Sequence, residues 1–231
     1  MEKEVSYNLW KDWRNENFGN YSIQDSYYYD KILSFSNCEN ISNVLEIGFG
    51  NGSFLGFMRT KNIDIYGVEV IEELIDAGKI NGFNVGGSID EIENNIKFDA
   101  IFMFDVLEHI PQDDIVTFLK KCLNRLNDDG VMIIRTPNGS SPLGLANQYG
   151  DVTHCTVVTS PKMHYWMKSL GSIVVYTGRD VYPLYDGRFF KMTSRMIRYT
   201  IQIVIEKLVR IIFAPQSSGI LSANLLTICK K

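Results

Sequence analysis

The chain has 231 residues, 45% hydrophobic and 22% charged, a globular composition with enough length to bury one large core. Its net charge of −4 is uneven: residues 188–231 carry eight Lys or Arg and one acid, a charge of +7, so the remainder carries −11. This acidic majority argues against a nucleic-acid partner. Four scattered cysteines without a CxxC pair, and a charged N-terminus without an apolar signal core, predict a cytoplasmic protein.

Short apolar runs alternate with helical patterns along most of the chain. Predicted strands are Asn43–Phe49, Ile63–Val70, Phe83–Val85, Phe98–Val106, Gly130–Thr136 and Ser172–Thr177. Predicted helices are Ser53–Arg59, Ile71–Lys79, a helix from Asp113 or Asp114 through Leu126, and a helix from an N-cap at Ser160, with Pro161 in its first turn, to about Gly171. Strands of this kind, which carry few charges and alternate with helices, favour a doubly wound, largely parallel α/β sheet.

Glycines follow the first predicted strand at the spacing E-x-G-x-G-x-G, where Glu46 precedes Gly48, Gly50 and Gly52. Such glycines let the backbone turn tightly and approach a ligand closely. The dinucleotide pattern G-x-G-x-x-G would need a glycine at position 53, which is Ser53. S-adenosylmethionine has no phosphate, so an acid is tolerable in this loop, and Glu46 is well placed to attract its methionine amine. A plain strand–helix turn is the alternative.

Glu69 closes the second predicted strand, 19 residues after Gly50. A carboxylate at this point can accept hydrogen bonds from both ribose hydroxyls of a nucleotide-type cofactor. The neighbouring Val70 belongs to the same predicted site. The alternative is a solvated glutamate at a strand end.

The fourth predicted strand supplies the run F-D-A-I-F-M-F-D-V-L-E-H, which ends at His109. With the glycine loop and Glu69, this run resembles the class I S-adenosylmethionine-dependent methyltransferases. The nearest set among them is the small methyltransferases with a D-V-L-E-H signature. Asp151–His154, followed by Ser160–Pro161, is similar to that group's D-x-T-H segment before a helix. The resemblance covers about residues 40–180 and the last strand.

This resemblance implies a Rossmann-like, doubly wound seven-stranded sheet with an antiparallel last strand, which Ala223–Cys229 fits. It implies S-adenosylmethionine as the cofactor, with adenine contacts near Ser88, Ile89 or Asp90. Asp105 is expected at the carboxyl end of the fourth strand, where open α/β sheets bind ligands. The other implied contacts are Glu46, Gly48, Gly50, Glu69 and Val70.

Two histidines are candidates for catalysis, because an oxygen acceptor must lose its proton during methyl transfer. His109 lies just beyond the fourth strand, where it can also simply orient a loop, and His154 lies in a loop after the fifth. His164 falls inside a helix and is predicted to be structural. Asn138 can hydrogen-bond an acceptor, but Asn before Gly favours a turn. No cluster has metal-site spacing along the chain, so we predict no metal.

Two segments flank the cofactor core. Residues 1–35 are aromatic and predicted to be helical, either as a lid whose Trp13 and Tyr21 face the acceptor or the sulfonium, or as a helix packed on the sheet edge. Residues 187–214 form an amphipathic helical insertion. Its apolar face can lie in a membrane interface, cap the domain, or form a dimer interface. Its polar stripe steps by three or four through Arg188, Lys191, Arg195, Arg198, Gln202 and Glu206.

The sequence therefore predicts a single methyltransferase domain over 1–231, with the lid at 1–35, the core at 40–180, the insertion at 187–214 and the last strand at 222–230. We expect O-methylation of a sugar or surface-polysaccharide hydroxyl, with a lipid-soluble quinone precursor or other small molecule as the alternative; the resemblance implies both. An NAD-dependent dehydrogenase and a non-catalytic cofactor-fold binding protein are rivals from other classes. Monomer and homodimer both stay open.

Overall fold

Seven strands form one sheet in the residues that the computed structural model describes, which are 17–35, 41–213 and 221–231. They are β1 (Asn43–Ile47), β2 (Asp64–Val68), β3 (Asn84–Gly86), β4 (Phe98–Phe104), β5 (Leu126–Pro137), β6 (Ile173–Arg179) and β7 (Asn224–Lys230). Their spatial order is β3-β2-β1-β4-β5-β7-β6. The first five pair in parallel, and β7 is antiparallel to both β5 and β6. The predicted fold class is confirmed.

Helices cover the sheet and connect its strands. They are α1 (Ile23–Phe35), α2 (Ser53–Thr60), α3 (Glu72–Ile80), α4 (Ile115–Asn124), α5 (Leu145–Gly150), α6 (Ser160–Ser169) and α7 (Phe189–Phe213), with 3₁₀ turns at Ile89–Glu91 and Leu107–His109. The short α5 was not predicted, because six residues carry too little periodicity to identify a helix.

Three predicted boundaries are wrong. The N-cap of α6 is Thr159, whose hydroxyl accepts from the Lys162 amide at 3.3 Å, so Ser160 already lies inside the helix. Strand β5 begins at Leu126 and not at Gly130. Leu126, which was predicted to end the preceding helix, instead pairs with Phe98 of β4, and that helix ends at Asn124. A register irregularity follows, so the polar residues 127–129 are part of an irregular strand.

The central strands are buried on both faces, as their apolar runs predicted. Leu45 and Ile101 belong to one core cluster, and Val44 and Phe102 belong to the cluster on the opposite face. Because β1, β2 and β4 run parallel, their carboxyl ends open at one edge of the sheet. The glycine loop, Glu69 and Asp105 follow those ends and therefore meet there.

Helix α1 packs against α2 on one face of the sheet. Ile32 is fully buried in this contact. The Tyr21 ring meets Phe57 edge-on at 5.6 Å, and its hydroxyl lies 3.2 Å from Thr60 Oγ1. Tyr21 thus matches the packing alternative and not an acceptor contact. Trp13 lies outside the described residues, so its role in a lid stays a prediction.

Candidate functional site

A cavity of about 860 Å³ opens at the carboxyl ends of β1, β2 and β4. This volume is in the range of small-molecule and cofactor sites. Of the residues predicted to contact a cofactor, only Asp90, which pairs with Lys121, does not line it; the others do: Glu46, Gly48, Gly50, Glu69, Val70, Ser88, Ile89 and Asp105. The fold therefore brings the predicted set together, while its contacts to a cofactor remain predictions.

The glycine loop requires its glycines for steric reasons. Gly48 and Gly52 have φ of 73° and 72°, in the left-handed region that side chains disfavour. A Cβ atom on Gly48 would lie 2.6 Å from Val106 Cγ2, and one on Gly52 would lie 2.5 Å from the Phe18 ring. The loop can therefore pass closely beneath the cavity only with glycine at these positions.

Glu46 brings an uncompensated carboxylate to the cavity. The residue is 3% exposed, and its Oε2 atom has no hydrogen-bond partner among the described residues. Burial, and then the nearby Glu69 carboxylate, raise the pKa of Glu46 well above its usual value. A buried polar atom without a partner is costly. A cationic hydrogen-bond donor in the cavity would supply the missing partner and counter-charge.

Glu69 fastens the glycine loop as well as lining the cavity. Its Oε2 accepts from the Gly50 amide at 3.0 Å, and its Oε1 accepts from the Val70 amide at 2.8 Å. Burial raises the pKa of Glu69, although these amide hydrogen bonds oppose the shift. Carboxylate oxygens have more than one acceptor direction, so the side chain can hold the loop and still accept from a ligand. The loop-fastening role was missed by sequence reasoning.

The far wall of the cavity comes from β3 and α4. The Ser88 hydroxyl accepts from the Asp90 amide at 3.1 Å and caps the 3₁₀ turn that carries Ile89. Sequence reasoning did not place α4 in the site. The available signal was the spacing of three or four residues that puts side chains on one face of a helix. The helix lines the cavity with Thr117, Phe118 and Lys121, and its N-cap residue Asp114 lines it too.

Asp105 is held by an arginine that sequence reasoning also missed. Asp105 has a φ of 58°, uncommon for a residue other than glycine, and its carboxylate accepts from Arg135 of β5 in a close ion pair. The Arg135 guanidinium lies 5.4 Å from the ring centroids of both Tyr28 and Phe104. Although burial lowers it, the pKa of Arg135 is raised on balance by Asp105, so the arginine stays charged. A lone arginine in the apolar β5 run was the signal for this pair.

His109 lines the cavity at the end of a hydrogen-bond chain. Its Nδ1 lies 2.9 Å from Thr153 Oγ1, and that hydroxyl donates to Asp151 Oδ1 at 2.6 Å. Because the hydroxyl has only one hydrogen, the bond to His109 requires Nδ1 to carry its own. In the neutral ring this tautomer leaves the lone pair on Nε2.

His154 lies behind the cavity wall and does not line it, contrary to the expectation for its loop. Its Nδ1 is 2.9 Å from the Gln148 carbonyl oxygen, and its side chain is buried. Its ring is 4.6 Å from that of His109, edge to face. The segment after β5 folds back against residues 107–110 through amides of Cys155 and Thr156, which donate to the Glu108 carbonyl oxygen. A catalytic role for His154 stays a prediction. Its position fits an indirect role, in which His154 acts through its ring contact with His109.

Glu108 lies between these elements and is fully buried. Neither carboxylate oxygen has a hydrogen-bond partner in the described part of the chain. Burial, and then the Asp105 carboxylate, raise the pKa of Glu108 to about 8. Ligand atoms of Glu108, His109 and His154 lie within 4.8 Å of one another, a grouping that can hold a metal ion. Sequence spacing could not reveal it, because His154 joins only through the fold.

Two further polar residues from the sequence analysis do not line the cavity. Asn138 is buried, and its Oδ1 accepts from the Ser140 amide at 3.1 Å, which fits the predicted turn. His164 is exposed on α6, away from the cavity.

Comparison with known proteins identifies the family. A family profile described as "Methyltransferase domain" matches residues 13–177. The chain belongs to this methyltransferase family. The protein named ubiquinone biosynthesis O-methyltransferase of Rickettsia bellii is 23% identical over 125 residues, 50% of each chain. Its namesake from Bradyrhizobium diazoefficiens is 29% identical over 117 residues, 48% of this chain and 46% of that one. The chain spans about half the length of these curated relatives.

Solved structures share the fold of this methyltransferase-family chain. A SAM-dependent methyltransferase from Archaeoglobus fulgidus has a TM-score of 0.65 at 21% identity, over 90% of this chain and 94% of that one. The plantazolicin methyltransferase BpumL, solved in complex with a pentazolic desmethylPZN analog and SAH, has a TM-score of 0.61 at 12% identity, over 100% of this chain and 90% of that one. The resemblance to class I methyltransferases is thereby confirmed.

Proposed function

We propose that this chain transfers a methyl group from S-adenosylmethionine to a hydroxyl oxygen. The observation that carries the proposal is the buried Glu46 carboxyl group, which faces a cofactor-sized cavity and has one oxygen without a hydrogen-bond partner among the described residues. The family assignment supports the same reaction class. A dehydrogenase is disfavoured, because a diphosphate at the glycine loop would meet the acidic Glu46, and because Ser53 replaces the third glycine of the dinucleotide pattern.

The bound cofactor would supply a methyl group already activated on a sulfonium, so the protein's main task is to position it. Glu46 would accept from the cationic amine of the methionine moiety, and Glu69 from the ribose hydroxyls. Ser88 and Ile89 would border the adenine. These roles follow from the order in which the side chains line the cavity from β1 to β2 to β3.

The acceptor side of the cavity is aromatic. Tyr29, Phe54 and Phe104 line it beside the charged Arg135, and the Tyr29 hydroxyl is fixed by a close hydrogen bond with Ser53. Flat apolar walls suit an aromatic ring more than a hydroxyl-rich sugar. The curated relatives are named for ubiquinone biosynthesis. We therefore favour the hydroxyl of a phenolic quinone precursor as the acceptor over the sugar or polysaccharide hydroxyl expected from the sequence.

His109 is the residue we propose as general base. Its neutral tautomer, fixed by Thr153 and Asp151, keeps a lone pair on Nε2 of a ring in the cavity wall. That lone pair can take the hydroxyl proton as the oxygen attacks the methyl carbon. His154 would support it from behind through their ring contact.

A methyl-transfer assay with labelled S-adenosylmethionine tests the proposal. The acceptors are a polyprenyl catechol and a sugar nucleotide, with Glu46→Gln as the cofactor-site variant. Turnover of the catechol alone, diminished in the variant, is the expected result. Turnover of the sugar alone would overturn the acceptor assignment. Binding of S-adenosylhomocysteine without turnover of either would favour a non-catalytic binding protein, and binding of NAD in its place would overturn the cofactor.

A further inference from the structure

Helix α7 is attached to the rest of the protein by its polar side chains. Glu206 forms a close ion pair with Arg179 of β6, and Arg195 donates to Asp186 at 3.1 Å. Between them, the Tyr199 ring stacks on another tyrosine at 5.2 Å. At about 100° per residue, Arg195, Tyr199 and Glu206 fall within about 40° of one another. One narrow polar stripe therefore faces the protein.

Most apolar side chains of α7 point the other way; Met192 and Ile203, which fall within about 40° of Tyr199, are the partly buried exceptions on the side that faces the protein. Seven of the apolar side chains are between 50% and 70% exposed: Ile197, Ile201, Val204, Ile205, Leu208, Ile211 and Ile212. On the helical wheel they centre roughly opposite Tyr199, and no charged residue falls within about 60° of that direction. No α7 residue with a described side chain is fully buried. This reverses the usual arrangement, in which the apolar face of a helix packs on the core.

Cations border the exposed apolar face. Lys191 and Arg198 lie along one edge and Lys207 along the other, each about 80–100° from Tyr199, and all three are exposed. The single acid of the helix, Glu206, is already paired with Arg179. The border is therefore positive along its length, although the chain as a whole carries −4.

We propose that α7 lies flat in the interface of an anionic lipid bilayer, with its apolar face at the acyl boundary and its lysines and arginines among the headgroups. A 25-residue helix offers a strip about 37 Å long, and long cationic side chains at its edges can reach headgroups while their stems stay apolar. No helix in the described ranges is long and apolar enough to cross a membrane. No residue of α7 lines the cavity, so the inference stands independently of the proposed reaction.

Charge selects the bilayer over a second copy of the chain. Two copies that joined by this face would bring positive borders together, and like charges repel. An anionic bilayer complements the same border. The surface also lies close to the cavity, because Arg195 contacts Gln24 of α1 at 3.2 Å, and α1 supplies Tyr29 to the cavity wall.

Vesicle binding of the full chain tests the inference. We expect co-sedimentation with phosphatidylglycerol-containing vesicles, weak binding to pure phosphatidylcholine vesicles, and loss of binding as salt is raised. A Leu208→Trp variant should show a blue shift of its added fluorescence, and quenching by brominated lipids, when anionic vesicles are mixed in. An Ile80→Trp variant should show neither, because Ile80 is 82% exposed at the end of α3, away from α7.

Substitutions on the exposed face separate the outcomes. Ile197→Asp with Ile205→Asp should weaken vesicle binding at least about tenfold, while Ile80→Asp, which adds the same kind of charge elsewhere, should not. Because these positions are exposed, the melting temperature and the affinity for S-adenosylhomocysteine should not change. The inference is overturned by equal binding to both vesicle types, by absence of binding, or by a dimer in light scattering that only the α7 variants dissociate.

Discussion

Glu46→Gln is the substitution that most directly tests the cofactor site. It keeps the shape of a side chain that is 3% exposed and removes its ability to ionise. The raised pKa of Glu46 means that burial disfavours the ionised form of this carboxyl in the folded protein without ligand. A bound ammonium group would stabilise the ionised form and lower that pKa. Binding should therefore release up to about one proton per site in the natural protein.

The loss in affinity follows from the same geometry. A hydrogen bond between charged groups contributes about 1.5–3 kcal/mol, which corresponds to about 10–150-fold in Kd. The glutamine side chain keeps one acceptor oxygen but has an NH2 group, which only donates hydrogen bonds, in place of the other carboxylate oxygen. We expect a loss at the upper end if Glu46 Oε2, the atom without a partner, is the one that faces the amine.

Isothermal titration with S-adenosylhomocysteine measures both quantities. In two buffers of different ionisation enthalpy, the binding heat of the natural protein should differ and that of Glu46→Gln should not. Glu72→Gln, at an exposed position of α3 outside the cavity, is the matched control. Equal affinities in all three proteins, together with heats that do not depend on the buffer, would refute the argument that Glu46 receives the amine.

Four further predictions follow. Glu69→Ala should weaken S-adenosylhomocysteine binding by about 1–3 kcal/mol and speed amide exchange at Gly50, whose N–H it accepts; unchanged values in a folded variant would remove both roles. His109→Gln should lower kcat more than His154→Gln at unchanged cofactor affinity, because only His109 lines the cavity, and the reverse order would contradict the proposed base. The pKa of Glu108 is about 8 against an ordinary 4.5, so between these pH values the folded state holds a proton that the unfolded state loses. The free energy of unfolding should therefore fall by at most about 5 kcal/mol as pH rises from about 5 to 8. Glu108→Gln should flatten this pH dependence in denaturant titrations. The prediction of no metal is checked by metal analysis of protein purified without chelator: a stoichiometric ion that His154→Ala abolishes would make the sequence-based expectation wrong.

The parts of the site that could be predicted are those that the chain encodes locally. A buried strand followed by glycines predicts a turn at a sheet edge, and an acid at the end of the next strand must lie beside it when the strands are parallel. Glu46, Gly48 and Glu69 could therefore be placed from sequence alone. The hydrogen-bond partners of these residues were harder to predict. The bond from the Gly50 amide to Glu69, for example, depends on the path of the loop and not on its composition.

The missed parts depend on contacts between distant segments. Arg135 meets Asp105 because β4 and β5 pair in register, with Phe104 opposite Arg135. His154 sits behind His109 because the chain after β5 folds back onto Glu108 through two amide hydrogen bonds. Neither the pairing register of two strands nor the folding of a loop back onto the protein produces a periodic pattern in the sequence. A rule that assigns every loop after a strand to the ligand side therefore places too many histidines in the cavity wall.

Helix α7 shows a different limit. Its periodicity correctly groups the polar residues on one stripe and the apolar residues opposite, but the same pattern fits an internal cap and an interfacial helix equally well. What separates them is which stripe finds partners: Arg195 and Glu206 form ion pairs with the protein, whereas Ile201 and Leu208 stay half exposed. Polar attachment fixes the orientation of the helix without using its apolar area, and that area is then available to lower the free energy of a bilayer contact. An acceptor dissolved in such a bilayer would meet the protein on the side where α1 joins α7 to the cavity wall, which links the proposed quinone precursor to the proposed surface through a single structural element.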